Sequence, residues 1–354
     1  MPKNLPSASV AIGNLQDAMF ADLDHVHGGC SWWHGYQDWP RLVVINDYLL
    51  QTVGTLTSTT LLMAHHLQRF EERWTSENHN ARRLLQDTGT ALGQKSPLDE
   101  ARSLDIQVAV RGFFDTAAHT LDLVATLFVG ICALKADLKT VGWKVIPRAR
   151  DSIGQRQSSL LYCYGTDGRK QQETAIRACI SSTPSQPEDW IEWTLHTRHT
   201  FLHRAGRMRL QVVSSREDKG HLDSELFYFL PVHPRLSDAE VMGQSQTIKA
   251  AYLPNHAADL MRMIHSNAVE LVAVYCRALE EVWIKRRDNP LLLVQPEQQW
   301  HIIEDPTTQP AFAGARQKVR WPGGSITINP KDEERWEAAK VMDADAKKHW
   351  GTHR

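Results

Sequence analysis

The chain has 354 residues, enough for two or three modules and a sizeable core. Its 40 Lys and Arg against 41 Asp and Glu leave a net charge of −1, which excludes a polycation that coats nucleic acid; any such contact must come from a local basic patch. Hydrophobic residues at 42% and charged residues at 23% are ordinary for a globular protein.

Five scattered cysteines, Cys30, Cys132, Cys163, Cys179 and Cys276, fit the reduced thiols of a cytosol better than a disulfide framework. Met1-Pro-Lys-Asn-Leu-Pro6 opens no apolar run, so no signal peptide is expected. The greasiest stretch, Leu123 to Leu134, is about half the length a bilayer needs. It is expected to be a buried helix, which points to a cytoplasmic protein without a membrane partner.

Residues 1–40, rich in Gly, Trp and His, show no sustained period and read as an irregular N-terminal segment. From Leu42 a helical rhythm begins: Leu49, Val53, Leu56, Thr60, Met63, Leu67, Phe70 and Trp74 form one stripe. Residues 75–100 are polar and read as a loop or short helices. A second long helix is expected from about Leu104 to Leu138, with Ile106, Val110, Phe113, Ala117, Leu121, Val124, Phe128, Ile131 and Leu134 inward.

Trp143 to Ile146 and Leu160 to Tyr164 look strand-like, flanking a basic loop from Arg148 to Arg156. The Thr183-Pro-Ser-Gln-Pro187 stretch is a breaker, and Glu188 and Asp189 favour the start of a third helix. Met208 to Val213 and Glu225 to Val232 predict a hairpin. A fourth long helix follows Pro254, carrying Leu260, Ile264, Ala268, Leu271, Tyr275, Leu279 and Val282. Beyond Pro290 the rhythm is lost, leaving a strand pair around Pro322-Gly-Gly324 and a short charged helix near Glu333 to Val341. Four helices with one apolar face each predict a mainly α bundle over 41–287, with a β-hairpin insertion at about 207–233. A small α+β C-terminal appendage would fill 288–354.

The most chemically loaded stretch runs from Trp190 to Arg209. Between Thr194 and Ser215 there is no acidic residue, while Arg198, Arg204, Arg207, Arg209, His196, His199 and His203 crowd together. Such a cluster is either a solvated face or a phosphate-binding patch. Within it, Arg198 and His203 are separated by four residues, and the polar His199 directly follows the arginine. The spacing alone is not specific, since Arg73 with His79 and Arg216 with His221 also match; only the Arg198 pair sits in a helical, acid-free stretch of the bundle.

This arrangement resembles the HEPN (higher eukaryote and prokaryote nucleotide-binding) superfamily. Its nucleases carry an Arg, four to six residues, then a His, often with Asn, Asp or His after the Arg. The resemblance covers roughly residues 42–286 and implies a HEPN-like helical bundle with the motif on or near its third helix. Arg204 and Ala205 follow His203 where some toxin members have a tyrosine, which leaves the subfamily open.

The chemistry suits these residue types. RNA brings its own nucleophile, the 2′-hydroxyl, so a proton shuttle and a charge stabiliser suffice, without metal or other cofactor. Arg198 would grip the scissile phosphate, His203 would transfer a proton, His199 would assist, and Arg204, Arg207 and Arg209 would bind the RNA backbone. The resemblance implies an endoribonuclease leaving a 2′,3′-cyclic phosphate, in a bacterial toxin or antiviral (antiphage) defence effector; no antitoxin or sensor partner can be read from the residues.

At about 100° per residue, Arg198 and His203 lie about 140° apart on a regular helix. A helix break near Thr200 or a second protomer would bring them together, so a homodimer is expected, with Phe201 and Leu202 sealing its flanks. Two alternatives share this helix. One is a catalytically silent member of the same fold that binds RNA or nucleotide. The other is a metal-binding bundle using His196, His199 and His203, which lie within about 60° of one another.

Elsewhere, His25, His27, Cys30 and His34 have zinc-like chemistry without any standard paired spacing, and a structural loop is the simpler reading. His65, His66 and His119 lie in helices as core-edge or exposed groups, with His119 near Asp115 and Asp122. Trp190 and Trp193 are stacking candidates for bases, although core packing is the default. The sequence holds no phosphate-binding glycine loop, nucleophile elbow or Cys-x-x-Cys pair.

Overall fold

The computed structural model describes residues 5–33, 39–88, 96–161, 167–181, 189–203, 211–218, 221–245, 247–288, 296–301 and 329–340. The protein is mainly helical. In chain order the elements are α1 (Leu5–Phe20), α2 (Trp39–Thr88), α3 (Pro97–Ile131), α4 (Val145–Asp151), α5 (Asp167–Ser181) and α6 (Asp189–His203). An antiparallel hairpin follows, β1 (Gln211–Asp218) and β2 (His221–Tyr228), and then α7 (Asp238–Ser245), α8 (Ala257–Asp288), α9 (Pro296–Gln299) and α10 (Pro330–Lys340).

Several expectations are corrected. The N-terminal 40 residues are not irregular throughout. Leu5–Phe20 is helical because Ala8, Ala11, Ile12, Leu15 and Met19 recur every three or four residues and are all buried. α2 runs on to Thr88 through the stretch expected to loop, since Ala81 continues the buried stripe of Phe70 and Trp74 while polar side chains cover the outer face. Trp143 to Ile146 is no strand: Val145 opens α4, which also takes up the first part of the expected basic loop. Leu160 and Leu161 lie in bends, and 162–164 fall outside the described residues. α5 was not expected at all.

The hairpin is present but shifted, pairing Gln211 with Tyr228 and Asp218 with His221. α10 matches the charged helix of the tail, and the strand pair around Pro322-Gly-Gly324 lies outside the described residues. By length and composition α3 could cross a membrane, yet 72% of its most apolar window is buried within the protein.

The chain forms two compact units, each assembled from distant segments. One comprises Met1–Ser7, Leu56–Leu121 and Pro184–Val272; the other Ala8–Thr55, Asp122–Thr183 and Ala273–Arg354. The second unit is organised around the end of α3. Ala133 takes a left-handed conformation (φ 52°), the NH of Leu134 donates to the carbonyl of Val129 (2.9 Å), and that of Ala133 to Gly130 (3.3 Å). This is a Schellman stop with alanine where glycine is usual, and the left-handed backbone costs about 1–2 kcal/mol. Three buried side chains satisfy the carbonyls around this stop. Gln299 Nε2 donates to Val129 and Leu134 (3.0 Å each), Arg286 Nη1 to Gly130 (3.1 Å) and Ile131, and Gln172 Nε2 to Cys132 (3.2 Å) and Ala133 (2.8 Å).

The first unit holds α6. Phe114 of α3 meets Trp193 at 5.6 Å and Phe201 at 5.5 Å between ring centroids, both edge-on. Burial of Phe114 and Phe201 contributes roughly 2–3 kcal/mol each. The chain beyond β2 is tied to α6 by two donors: Trp193 Nε1 to the carbonyls of Pro231 (3.2 Å) and Val232 (3.1 Å), and Thr200 Oγ1 to Pro234 (3.0 Å). An aromatic group of Phe70, Trp74, Tyr228 and His256 packs α2 against the hairpin, and Asn78 Oδ1 accepts the NH of Leu226 at 3.0 Å.

His265 of α8 is buried, and its Nε2 meets no hydrogen-bond partner among the described residues. Burial holds its pKa below the ordinary 6.5. The unfolded chain therefore binds the proton more readily, and stability rises with pH across that range. Stability that is full above about pH 6.5 drains as the pH falls toward the lower folded value. Thermal melts from pH 7.5 to 5.5 should show a declining Tm, and His265→Leu should make that decline shallower. Equal slopes for the two proteins would contradict this account.

Candidate functional site

α6 is a regular helix from Asp189 to His203, so no break near Thr200 brings Arg198 and His203 together. Its buried face is set by Trp190, Ile191, Thr194, Thr197 and Phe201, spaced at three and four residues. Thr197 Oγ1 satisfies itself on the carbonyl of Trp193 (2.8 Å). Trp190 and Phe201 are core residues. Phe201 is thus corrected from an interface flank to a packing partner of Phe114, while Leu202 is exposed.

Arg198 lies beside that buried face, its side chain 40% exposed. Its Nε donates to Oδ1 of Asp115 on α3 at 3.2 Å, a partner 83 residues away. The cationic run therefore has a counter-charge from another helix, although none within its own sequence. Among the described residues, Nη1 and Nη2 of Arg198 make no hydrogen bond. A guanidinium pinned on Nε keeps its outer edge available for two parallel bonds to an anion's oxygens.

His196 Nε2 stands 3.6 Å from Glu192 Oε1, one turn back. His199 is exposed on the opposite side of α6 from Phe201. His203 closes the helix, with its side chain outside the described set, as are Arg204, Arg207 and Arg209 altogether. Of the expected site residues, then, the structure joins Arg198 to Asp115 and leaves His199 on a different face.

Among the described residues, no three His, Cys, Asp or Glu side chains gather as a metal group. In the N-terminal loop His27 Nδ1 meets Asp24 (3.2 Å), His25 Nε2 meets Glu334 (3.5 Å), and Cys30 is buried with its thiol pKa pushed well up by burial. The structural reading suits that loop: its histidines tie down carboxylates, and its thiol is in the core. His34 lies outside the described residues.

The charge of Asp115, the partner of Arg198, also reaches a group that the sequence did not single out as functional. His66 of α2 is half-buried, and burial lowers its pKa; the neighbouring His65 and Arg69 push the same way, while the charge of Asp115 opposes them. Farther along, Asp105 accepts from Arg69 (3.3 Å) and Arg73 (3.1 Å). Comparison with family models, curated proteins and solved structures finds no match to this chain.

Proposed function

We propose that this chain is an endoribonuclease of the HEPN type, built on a HEPN-like helical bundle and cutting RNA through its own 2′-hydroxyl without a metal ion. The observation that carries the reading is Arg198, its guanidinium anchored through Nε and its side chain 40% exposed. Arg198 holds the scissile phosphate and offsets its growing negative charge. The 2′-oxygen bonds to phosphorus as its proton leaves, the bond to the 5′-oxygen breaks, and His203 returns a proton to that leaving oxygen. His199 assists, and Arg204, Arg207 and Arg209 extend the hold on the RNA backbone. The products are a 2′,3′-cyclic phosphate and a free 5′-hydroxyl.

Five positions along a regular helix separate Arg198 from His203 by about 140°. The working unit in this reading is a homodimer, in which one protomer's Arg198 serves the same phosphate as its partner's histidine. The setting is the bacterial cytoplasm, as a toxin or antiphage effector, with any antitoxin or sensor unspecified. A second reading, an inactive RNA- or nucleotide-binding module, is favoured by the Asp115 contact, because a carboxylate at the guanidinium competes with phosphate.

The deciding experiment is incubation of the purified protein with total bacterial RNA in excess EDTA. Discrete cleavage with 2′,3′-cyclic phosphate ends is the expected result. Binding without cleavage selects the second reading. Cleavage abolished by EDTA and restored by a divalent ion would remove the metal-free mechanism and favour the metal-binding alternative.

A further inference from the structure

Gly112 lies in the interior of α3, where glycine costs about 1 kcal/mol relative to alanine. Its reason is on α2. A Cβ at this position would fall 2.6 Å from Nε2 and 2.7 Å from Nδ1 of His66, and onto Cε1 as well, so the imidazole rests directly on the glycine backbone. Three residues further, on the same face of α3, Asp115 holds Arg198. Three helices thus bring an imidazole, a carboxylate and a guanidinium to one locality: His66 from α2, Asp115 from α3 and Arg198 from α6. The position of His203 lies about 140° around α6 from Arg198, whereas His66 stands close enough to Asp115, the partner of Arg198, to feel its charge.

We propose that His66, seated by Gly112, is a catalytic residue of the Arg198 site and accepts the 2′-hydroxyl proton of the RNA held there. This deepens the ribonuclease reading and rests on it. As the 2′-oxygen forms its bond to phosphorus, its proton passes to the free ring nitrogen of His66; the 5′-oxygen departs with the proton supplied by His203. The two imidazoles then exchange their protons with solvent, so nothing is oxidised or reduced. Asp115 is the positioning residue: it orients the guanidinium through Nε, and its negative charge favours the imidazolium that forms. The charged and titratable groups acting on His66 are His65 and Arg69 from α2 and Asp115 from α3, and Asp115 is itself the partner of Arg198 from α6.

The test compares wild type, His66→Gln, Gly112→Ala and Arg198→Ala on total bacterial RNA, with binding measured on a 2′-O-methylated RNA that cannot be cut. His66→Gln is expected to lower kcat by about 100-fold or more, leave binding within about threefold, and remove the acidic limb of the pH–rate profile. Gly112→Ala favours the helix but displaces the ring. It should slow cleavage by about tenfold while the Tm holds or rises, which separates positioning from unfolding. Wild-type rates and pH profiles in both variants, with Arg198→Ala inactive, overturn the role of His66 and leave the ribonuclease reading intact. Full cleavage by Arg198→Ala, or an inert wild type, overturns both.

Discussion

Replacing Arg198 with alanine should lower RNA cleavage by at least about 100-fold, the scale on which removal of a preorganised transition-state donor is felt. Arg198→Lys should recover little of this. A lysine is a point charge that cannot be gripped on one edge by Asp115 while presenting two parallel donors on the other. The fold should survive both changes, because the Arg198–Asp115 pair is about half exposed and such pairs contribute under about 1 kcal/mol. His203→Ala should be equally inactive. If each phosphate is served by Arg198 of one protomer and His203 of the other, mixing the two inactive variants should restore part of the activity, while sedimentation reports a dimer. Full cleavage by Arg198→Ala with unchanged circular dichroism would remove the site, and a fully active monomer would remove the shared-site geometry.

The long helices were legible because their apolar residues repeat at three and four over many turns: Leu260, Ile264, Ala268, Leu271, Tyr275, Leu279 and Val282 are consecutive members of one stripe in α8. α1 was hidden by composition. Pro6 and Gly13 and the Gly- and His-rich loop after it drew attention from a five-member stripe of small and medium residues. α4 and α5 were lost for a different reason, since short helices with few apolar positions are stabilised by tertiary contacts that local pattern does not encode. Arg169 of α5 is an example: it is buried among the carbonyls of Ser152 and Gln155 and the carboxylate of Glu173.

The candidate site was legible in one of its parts. Arg198 stood out by spacing and by the absence of acid nearby, but charge balance along the chain says nothing about charge balance in space, and Asp115 approaches from another helix. The aromatic environment misled in the same way, because Phe201 is apolar for the sake of Phe114 and not of a second protomer. One signal for His66 was present and went unread. An isolated glycine in the middle of an otherwise apolar helix marks a close approach, and Gly112 is that residue.

The largest effect on stability is expected at Arg286, which has no part in the proposed chemistry. Its guanidinium is buried at the C-terminal end of α3, donating through Nη1 to the carbonyls of Gly130 and Ile131. Those carbonyls form the negative end of the helix dipole, where a cation is favoured. The faces of Trp32 and Trp33 lie 5.6 and 6.0 Å from its central carbon, a second electrostatic attraction that is stronger out of water. Arg286→Ala takes the guanidinium donor from the Ile131 carbonyl, leaves Gly130 with the Ala133 NH alone and opens a void beneath two indoles, so a loss of about 3–5 kcal/mol is expected. Arg286→Lys keeps the charge but cannot lie flat across both rings while bridging two carbonyls, and about half of that loss should remain. Urea unfolding followed by tryptophan fluorescence reads this directly, since Trp32, Trp33 and Trp283 pack edge-on against one another at 5.1–5.9 Å around the site. An Arg286→Ala variant within about 1 kcal/mol of wild type would mean that the end of α3 is held by Gln172, Gln299 and the Schellman stop alone, and that the buried guanidinium is not needed to close it.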